Sequence, residues 1–396
     1  MELSKPQHLE LYYWMQLNRK LEEVLTNLFR QNKIVGGLYS SLGQEAISIG
    51  TAYALEKRDW IAPMIRNVGA VLVKGFRPRD IMMQYMAKAD SPTGGKDGTA
   101  HFGDLYQRRV ISPISMLGDL IPVMTGIALG ARYLGRQEVT LTWIGDGGSS
   151  TGAFHEGLNF AAVQKAALVL VLENNLWAYS TPTYLQSAVT DFAEKAKAYG
   201  IPGVIVDGND VLAVYRVTRE AASRARRGEG PTLIEAKTFR RLGHAQHDPA
   251  KYVPGWMRQE WETKDPILRF EKYLAEKKLW TEKEKKEILA RIDRELKEEL
   301  AAAEASPLPP PERAAEGVYC DGCHEIRAAW KRSPDEVKPP RHVAEEWYVG
   351  KTPALAPAAK PAVRGKEKES VAVGDNPGHA KSRTPRKQMK PKKQKR

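Results

Sequence analysis

Gly145-Asp146-Gly147-Gly148 and Asn174-Asn175 are the residues of this chain best suited to chemistry. Asp146 and the Asn175 carboxamide offer hard oxygen donors, which suit a magnesium ion held jointly with diphosphate oxygens. The glycines let the backbone approach an anion closely. A helix N-terminus following the turn adds N–H donors and a favourable dipole. Each half of the pattern alone is an ordinary turn; the chemistry lies in bringing them together.

The flanking residues say how that happens. Residues 139–144 form a continuous apolar run leading into the glycine turn, residues 151–163 read as a helix, and residues 167–172 form a second apolar run ending at Glu173-Asn174-Asn175. Runs this short and this apolar fit buried parallel strands. Loops at the carboxyl ends of parallel strands share one crevice, so Asp146 and Asn175 are expected to converge. Strands are also expected at 203–206 and 232–237, around a helix over 211–226. An amphipathic helix is expected over 8–32 with a stripe of Leu11, Met15, Leu21, Leu25 and Leu28. Ser40-Ser41 reads as the start of another helix, residues 121–133 as a tightly packed one, and 266–305 as charged helices stopped by prolines at 307–311. The alternation is that of an α/β fold, a mostly parallel sheet flanked by helices, with helical additions at both ends and no internal repeat.

The paired motif resembles the thiamine diphosphate signature. The text from Gly145 to Ala162 is similar to the alpha subunit of the decarboxylating component of 2-oxo acid dehydrogenases, and the likeness extends over roughly residues 8–305. It implies that Asp146, Asn175 and the backbone carbonyl of Trp177 hold magnesium, with Gly147 and Gly148 against the cofactor. Leu176-Trp177 stands where the family more often has Gly-Tyr, a change that a main-chain ligand tolerates. Arg66 falls at the family's diphosphate arginine, after Ile65 in place of the usual tyrosine; its planar fork suits phosphate oxygens. Ser115 and Leu117 align with contacts to the aminopyrimidine ring. His244, in Gly243-His244-Ala245-Gln246-His247-Asp248, takes the place of the catalytic histidine that assists acyl transfer to lipoamide. His101 aligns with a further histidine at the site's mouth. Ala245 and His247 replace two serines of that loop, so kinase control there is expected to be absent. Met116, Asp119 and Leu120 do not match a potassium site.

The same resemblance implies decarboxylation of a 2-oxo acid on the thiazolium ring and transfer of the acyl group to a lipoyl-bearing acyltransferase. The carboxylate that activates the aminopyrimidine belongs to a beta subunit in this family. No second α/β domain is evident here, so an α2β2 assembly is expected. An acetoin-cleaving relative, or a non-catalytic basic-tailed binding protein keeping the fold, are the competing readings.

Composition bounds the remainder. The chain has 396 residues, 42% hydrophobic, and a net charge of +13. Residues 351–396 hold fourteen Lys or Arg against three Asp or Glu, so +11 of that charge lies there and only +2 on the rest. The charge therefore does not mark the body as a nucleic-acid binder. The expected organisation is a thiamine diphosphate-binding body over 1–305, a proline-containing linker over 306–350 and a disordered basic tail over 351–396. No stretch has the roughly 18 consecutive apolar residues of a membrane span, and no apolar signal core opens the chain, so a cytoplasmic location is expected. The two cysteines lie in Cys320-Asp321-Gly322-Cys323-His324. This matches a short haem-attachment pattern and half of a zinc site, but an ordinary reduced segment is the expectation.

Overall fold

The computed structural model describes residues 3–318. In chain order, α1 (Lys5–Arg30), α2 (Glu45–Tyr53), β1 (Trp60–Ala62), α3 (Val68–Val73), α4 (Pro78–Tyr85) and α5 (Leu120–Tyr133) precede the signature. The signature unit is β2 (Thr140–Gly145), α6 (Gly152–Val163) and β3 (Leu168–Asn174), followed by the short pair β4 (Trp177–Ala178) and β5 (Thr181–Pro182). β6 (Gly203–Asp207), α7 (Val211–Arg226) and β7 (Thr232–Lys237) complete the sheet. α8 (Gly255–Glu262), α9 (Pro266–Glu276) and α10 (Glu282–Ala305) follow.

The main sheet runs β1-β2-β3-β7-β6, every neighbouring pair parallel. Its centre is buried on both faces, which explains why β3 is apolar without alternation. The pleat sends Leu168, Leu170 and Leu172 to one face, where they pack with Met124 of α5 and Phe154 and Leu158 of α6. Val169 and Val171 go to the other face, with Leu141, Trp143 and Ile234, and join a core that includes Leu21 and Leu25 of α1 and Val214 of α7. The stripe Leu11, Met15, Leu21, Leu25 and Leu28 is buried throughout.

The four expected strands and the helix over 211–226 form at the expected places. β1 is an addition: three residues are too few to show a period. The serines expected to start a helix do not cap one. Helix α2 begins at Glu45, and the Ser40 and Ser41 hydroxyls are bonded instead to the buried Glu22 carboxylate of α1. Nor does α6 follow the glycine turn directly: Gly147–Ser150 form a 3-10 turn first, and Thr151 then caps α6 through its side chain. Residues 306–318, expected to open a linker, lie on the body. Ala89 N–H donates to the Pro307 carbonyl at 2.8 Å, and Ser306 Oγ donates to Asp90 at 2.7 Å. The Cys320–His324 motif and the basic tail lie outside the described residues. Among the described residues, no helix is long and apolar enough to cross a membrane.

Candidate active site

Four adjacent parallel strands end at the same edge of the sheet, and each delivers a piece of one cavity. β1 leads into residues 63–66, β2 into 146–148, β3 into 175–179, and β7 into the loop carrying Arg240 and His244. They line a cavity of about 400 Å3 together with residues 114–121 at the start of α5. This is the crevice that parallel connectivity creates at carboxyl ends, and it closes the sequence distance between Asp146 and Asn175.

Oxygen donors occupy one corner. Asp146 is 2% exposed; its Oδ1 accepts from the Gly147 N–H at 2.6 Å, while Oδ2 is buried with no partner. Burial pushes this carboxyl up to about 6, although the Gly147 N–H and the nearby Gln186 amide favour the charged form. Gln186 Nε2 is itself buried without a bond. A buried, unsatisfied carboxylate oxygen is costly unless something cationic meets it. The amide doublet divides its labour across the pleat. Asn174 Nδ2 donates to Glu235 of β7 at 2.8 Å and ties two strands, whereas Asn175 lines the cavity, its Nδ2 3.4 Å from Gln44 Oε1. Leu176 then turns the chain in the left-handed region (φ 71°), a strained choice for a side-chain-bearing residue. Beyond it, the Trp177 carbonyl accepts from Arg240 Nη1 at 3.2 Å and keeps a second lone pair. Gly147 and Gly148 are fixed by space: a Cβ at Gly147 would lie 2.5 Å from Ala178 Cβ, and one at Gly148 2.5 Å from Ile144 Cδ1. Among the described residues no three His, Cys, Asp or Glu converge as a metal cluster. The donors that line this corner are instead a carboxylate, a carboxamide and a main-chain carbonyl, oxygen groups of the kind that suits magnesium.

Buried cations line the same cavity. Arg66 is 6% exposed, its Nη1 donating to the Ser40 carbonyl at 2.8 Å and its Nη2 to the His244 carbonyl. No carboxylate pairs with it among the described residues, and burial, then the Arg240 charge, pull its guanidinium down to about 10. His244 is half-buried, with Tyr39 and Tyr179 rings 5.4 and 4.7 Å from its own. Burial, followed by the Arg66 and Arg240 charges, lowers it to about 4, so the imidazole is neutral at pH 7. Its Nδ1 lies 3.5 Å from Arg66 Nη2, which can only donate; this assigns the ring proton to Nε2. Asp248 holds the loop, accepting from the His244 N–H at 2.7 Å and the Tyr252 hydroxyl at 2.5 Å.

The rest of the wall is largely apolar, including Ile65, Ile114, Leu117, Ile121 and Trp143. Leu117 is therefore in the site. Ser115 is not among the lining residues: it is exposed, its hydroxyl 3.4 Å from His101 Nε2, and His101 Nδ1 lies 3.2 Å from Asp97. Two charged residues in the wall had no assigned part in the sequence reading. Arg240, 2% exposed, donates to the Trp177 and Tyr179 carbonyls and to the Tyr252 hydroxyl. Its neighbour Arg241 faces away, onto Asp265, and nothing in the doublet distinguishes the two. Glu173, also buried, accepts from Asn67 Nδ2 at 2.6 Å, and burial raises its carboxyl to about 7. Its only sequence signal was its place before the amide doublet.

One cavity thus offers a buried cation lacking a counter-ion, a buried oxygen lacking a partner, and an apolar wall. That combination fits a ligand with a metal-bound anionic end and a ring end. Comparison with known proteins agrees in class. Residues 13–312 match the family described as Dehydrogenase E1 component. The chain is 37% identical over 320 residues to the 2-oxoisovalerate dehydrogenase subunit alpha of Bacillus subtilis, covering 80% of this chain and 96% of that protein. It is 40% identical over 309 residues to the pyruvate dehydrogenase E1 component subunit alpha of the same organism, covering 77% and 80%. It is 39% identical over 284 residues to the 3-methyl-2-oxobutanoate dehydrogenase subunit alpha of Mycobacterium tuberculosis, covering 71% and 74%. On the family match and these relatives, the chain belongs to the dehydrogenase E1 component family.

Proposed function

We propose that this chain is the alpha subunit of a 2-oxo acid dehydrogenase. It binds thiamine diphosphate with Mg2+, decarboxylates a 2-oxo acid together with a beta subunit, and delivers the acyl group to a lipoyl-bearing acyltransferase. The observation that carries the reading is the pairing of Asp146 Oδ2, buried without a partner, with Arg66, buried without a carboxylate, in one cavity at the strand ends. Asp146, Asn175 and the Trp177 carbonyl hold the metal. Arg66 donates to the diphosphate, Gly147 and Gly148 let it approach, and Leu117 packs on the ring portion. Ser115, although aligned with ring contacts, acts in our reading from the rim through His101 rather than on the ring.

When bound, the cofactor supplies an electron sink for loss of carbon dioxide. The chain's own contribution is positional and electrostatic. Its buried cations stabilise negative charge that develops in the cavity. His244, neutral with its proton on Nε2, donates a hydrogen bond to charge that develops on substrate or lipoyl sulfur, while Nδ1 stays against the Arg66 guanidinium. The relatives' names divide between pyruvate and branched 2-oxo acids. The substrate is accordingly a short 2-oxo acid, to be fixed by a panel. The deciding experiment reconstitutes the full chain with its beta subunit and measures carbon dioxide released from pyruvate and branched 2-oxo acids. Release that requires both Mg2+ and thiamine diphosphate is expected; no release from any member of the panel would overturn the proposal.

A further inference from the structure

Arg66 and His244 come from the ends of different strands, yet one short segment sets both. The Ser40 carbonyl accepts from Arg66 Nη1 at 2.8 Å, and the neighbouring Tyr39 ring lies 5.4 Å from the His244 ring and 5.8 Å from Arg66 Cζ. Residues 39–41 lie in the connection between α1 and α2, outside any strand ladder. What holds them is Glu22 of α1. Ser41 N–H donates to both its oxygens at 3.0 and 2.9 Å, Ser41 Oγ donates to Oε1 at 2.5 Å, and Ser40 Oγ to Oε2 at 2.6 Å. Asn18, one helical turn earlier, donates to Ser41 Oγ at 3.0 Å.

Glu22 is 7% exposed and forms no ion pair among the described residues. Burial drives its carboxyl up to about 7, against the lowering effect of the serine donors. An ionised carboxylate in such a place is a poor choice for simple bracing, since neutral side chains pack there at lower cost. It gains meaning from its neighbour: Glu22 lies close enough to Arg66 to favour the charged guanidinium.

We propose that Glu22 is a positioning residue for cofactor binding. Its carboxylate fixes Ser40 and Ser41 so that the Ser40 carbonyl and the Tyr39 ring aim Arg66 and His244 into the cavity. The inference rests on the thiamine diphosphate reading of that cavity. Glu22→Gln keeps the shape and one acceptor but turns an NH2 group toward the serine donors. In the reconstituted alpha-beta complex, calorimetry with Mg2+ and thiamine diphosphate is expected to show a dissociation constant raised about tenfold, the loss of roughly one charge-assisted hydrogen bond. Carbon dioxide release to an artificial acceptor at saturating cofactor, a step that does not need His244, should change far less, a split that general destabilisation does not produce. In a double-mutant cycle with Arg66→Met, the Glu22→Gln loss should shrink, because both act through one guanidinium. Should Glu22→Gln fail to assemble, Ser41→Ala carries the same test with a smaller shift in the same direction. An unchanged dissociation constant, or losses that simply add in the cycle, overturns the proposal. Absence of binding by the wild-type complex instead overturns the functional reading beneath it.

Discussion

Replacing Arg66 by methionine separates a residue kept for a ligand from one kept for the fold. Burial lowers the guanidinium from 12.5 to about 10, so holding it charged without a ligand costs about 3 kcal/mol. Methionine removes that cost but leaves the Ser40 and His244 carbonyls without their donor, a penalty of about 1–3 kcal/mol each. The two changes oppose each other, and the cofactor-free protein should be stabilised by no more than about 1 kcal/mol and destabilised by no more than about 3 kcal/mol. Binding has no such compensation. The two charge-assisted bonds that a guanidinium fork makes to diphosphate, each about 1.5–3 kcal/mol, are lost, and affinity should fall roughly 10²- to 10⁴-fold. The assay is thermal unfolding with and without Mg2+ and thiamine diphosphate. Ligand at about 100 times its dissociation constant stabilises the wild type by about 2.7 kcal/mol, and the variant should show almost none of that shift. A variant whose cofactor-free melting collapses while its cofactor-induced shift survives would refute the reasoning, since Arg66 would then be a structural cation.

Other changes test the remaining groups. Asp146→Asn should end magnesium-dependent cofactor binding. It should also stabilise the cofactor-free chain near neutral pH by about 1–3 kcal/mol. A carboxyl raised to about 6 penalises folding once it ionises, so this gain should disappear as the pH falls toward the unfolded value of 3.8, as urea titrations at several pH values would show. Gly147→Ala forces a Cβ against Ala178 and should cost about 1–3 kcal/mol by chemical unfolding while weakening metal binding through the displaced Trp177 carbonyl. The His244 imidazole should titrate near pH 4 in the cofactor-free chain, not near 6.5, when followed by NMR, and its midpoint should rise in the Arg66→Met variant. His244→Gln should retain carbon dioxide release with an artificial acceptor but lose acyl transfer to a lipoyl domain; equal losses in both assays would place the histidine elsewhere in the cycle.

Local chemistry made much of this protein legible in its sequence. The apolar runs before Gly145 and Glu173 read as buried strands, the stripe from Leu11 to Leu28 as a face turned to the core, and Asp146 with Asn175 as oxygen donors of the kind magnesium prefers. These are properties of a residue and its near neighbours, and periodicity or donor chemistry reports them directly. The short β1 strand, the hairpin after Asn175 and the bonding of Ser40 and Ser41 were not legible, because contacts from distant segments decide them.

The same division runs through the site. Residue types fixed which side chains could ligate, donate or carry charge, and the spacing of the strands fixed that their ends would meet. The sequence reading assigns the site role to Asn175, but the tertiary structure supplies the reason and alone separates Arg240 from Arg241. The pleat sends Asn174 to Glu235 and leaves Asn175 for the cavity, and loop packing puts Arg240 against the Trp177 carbonyl while Arg241 turns to Asp265. Burial, too, is a property of the whole fold. It left Asp146 Oδ2 without a partner, Arg66 without a carboxylate and the His244 imidazole neutral, and so made ordinary side chains into a candidate site for a metal-bound anion.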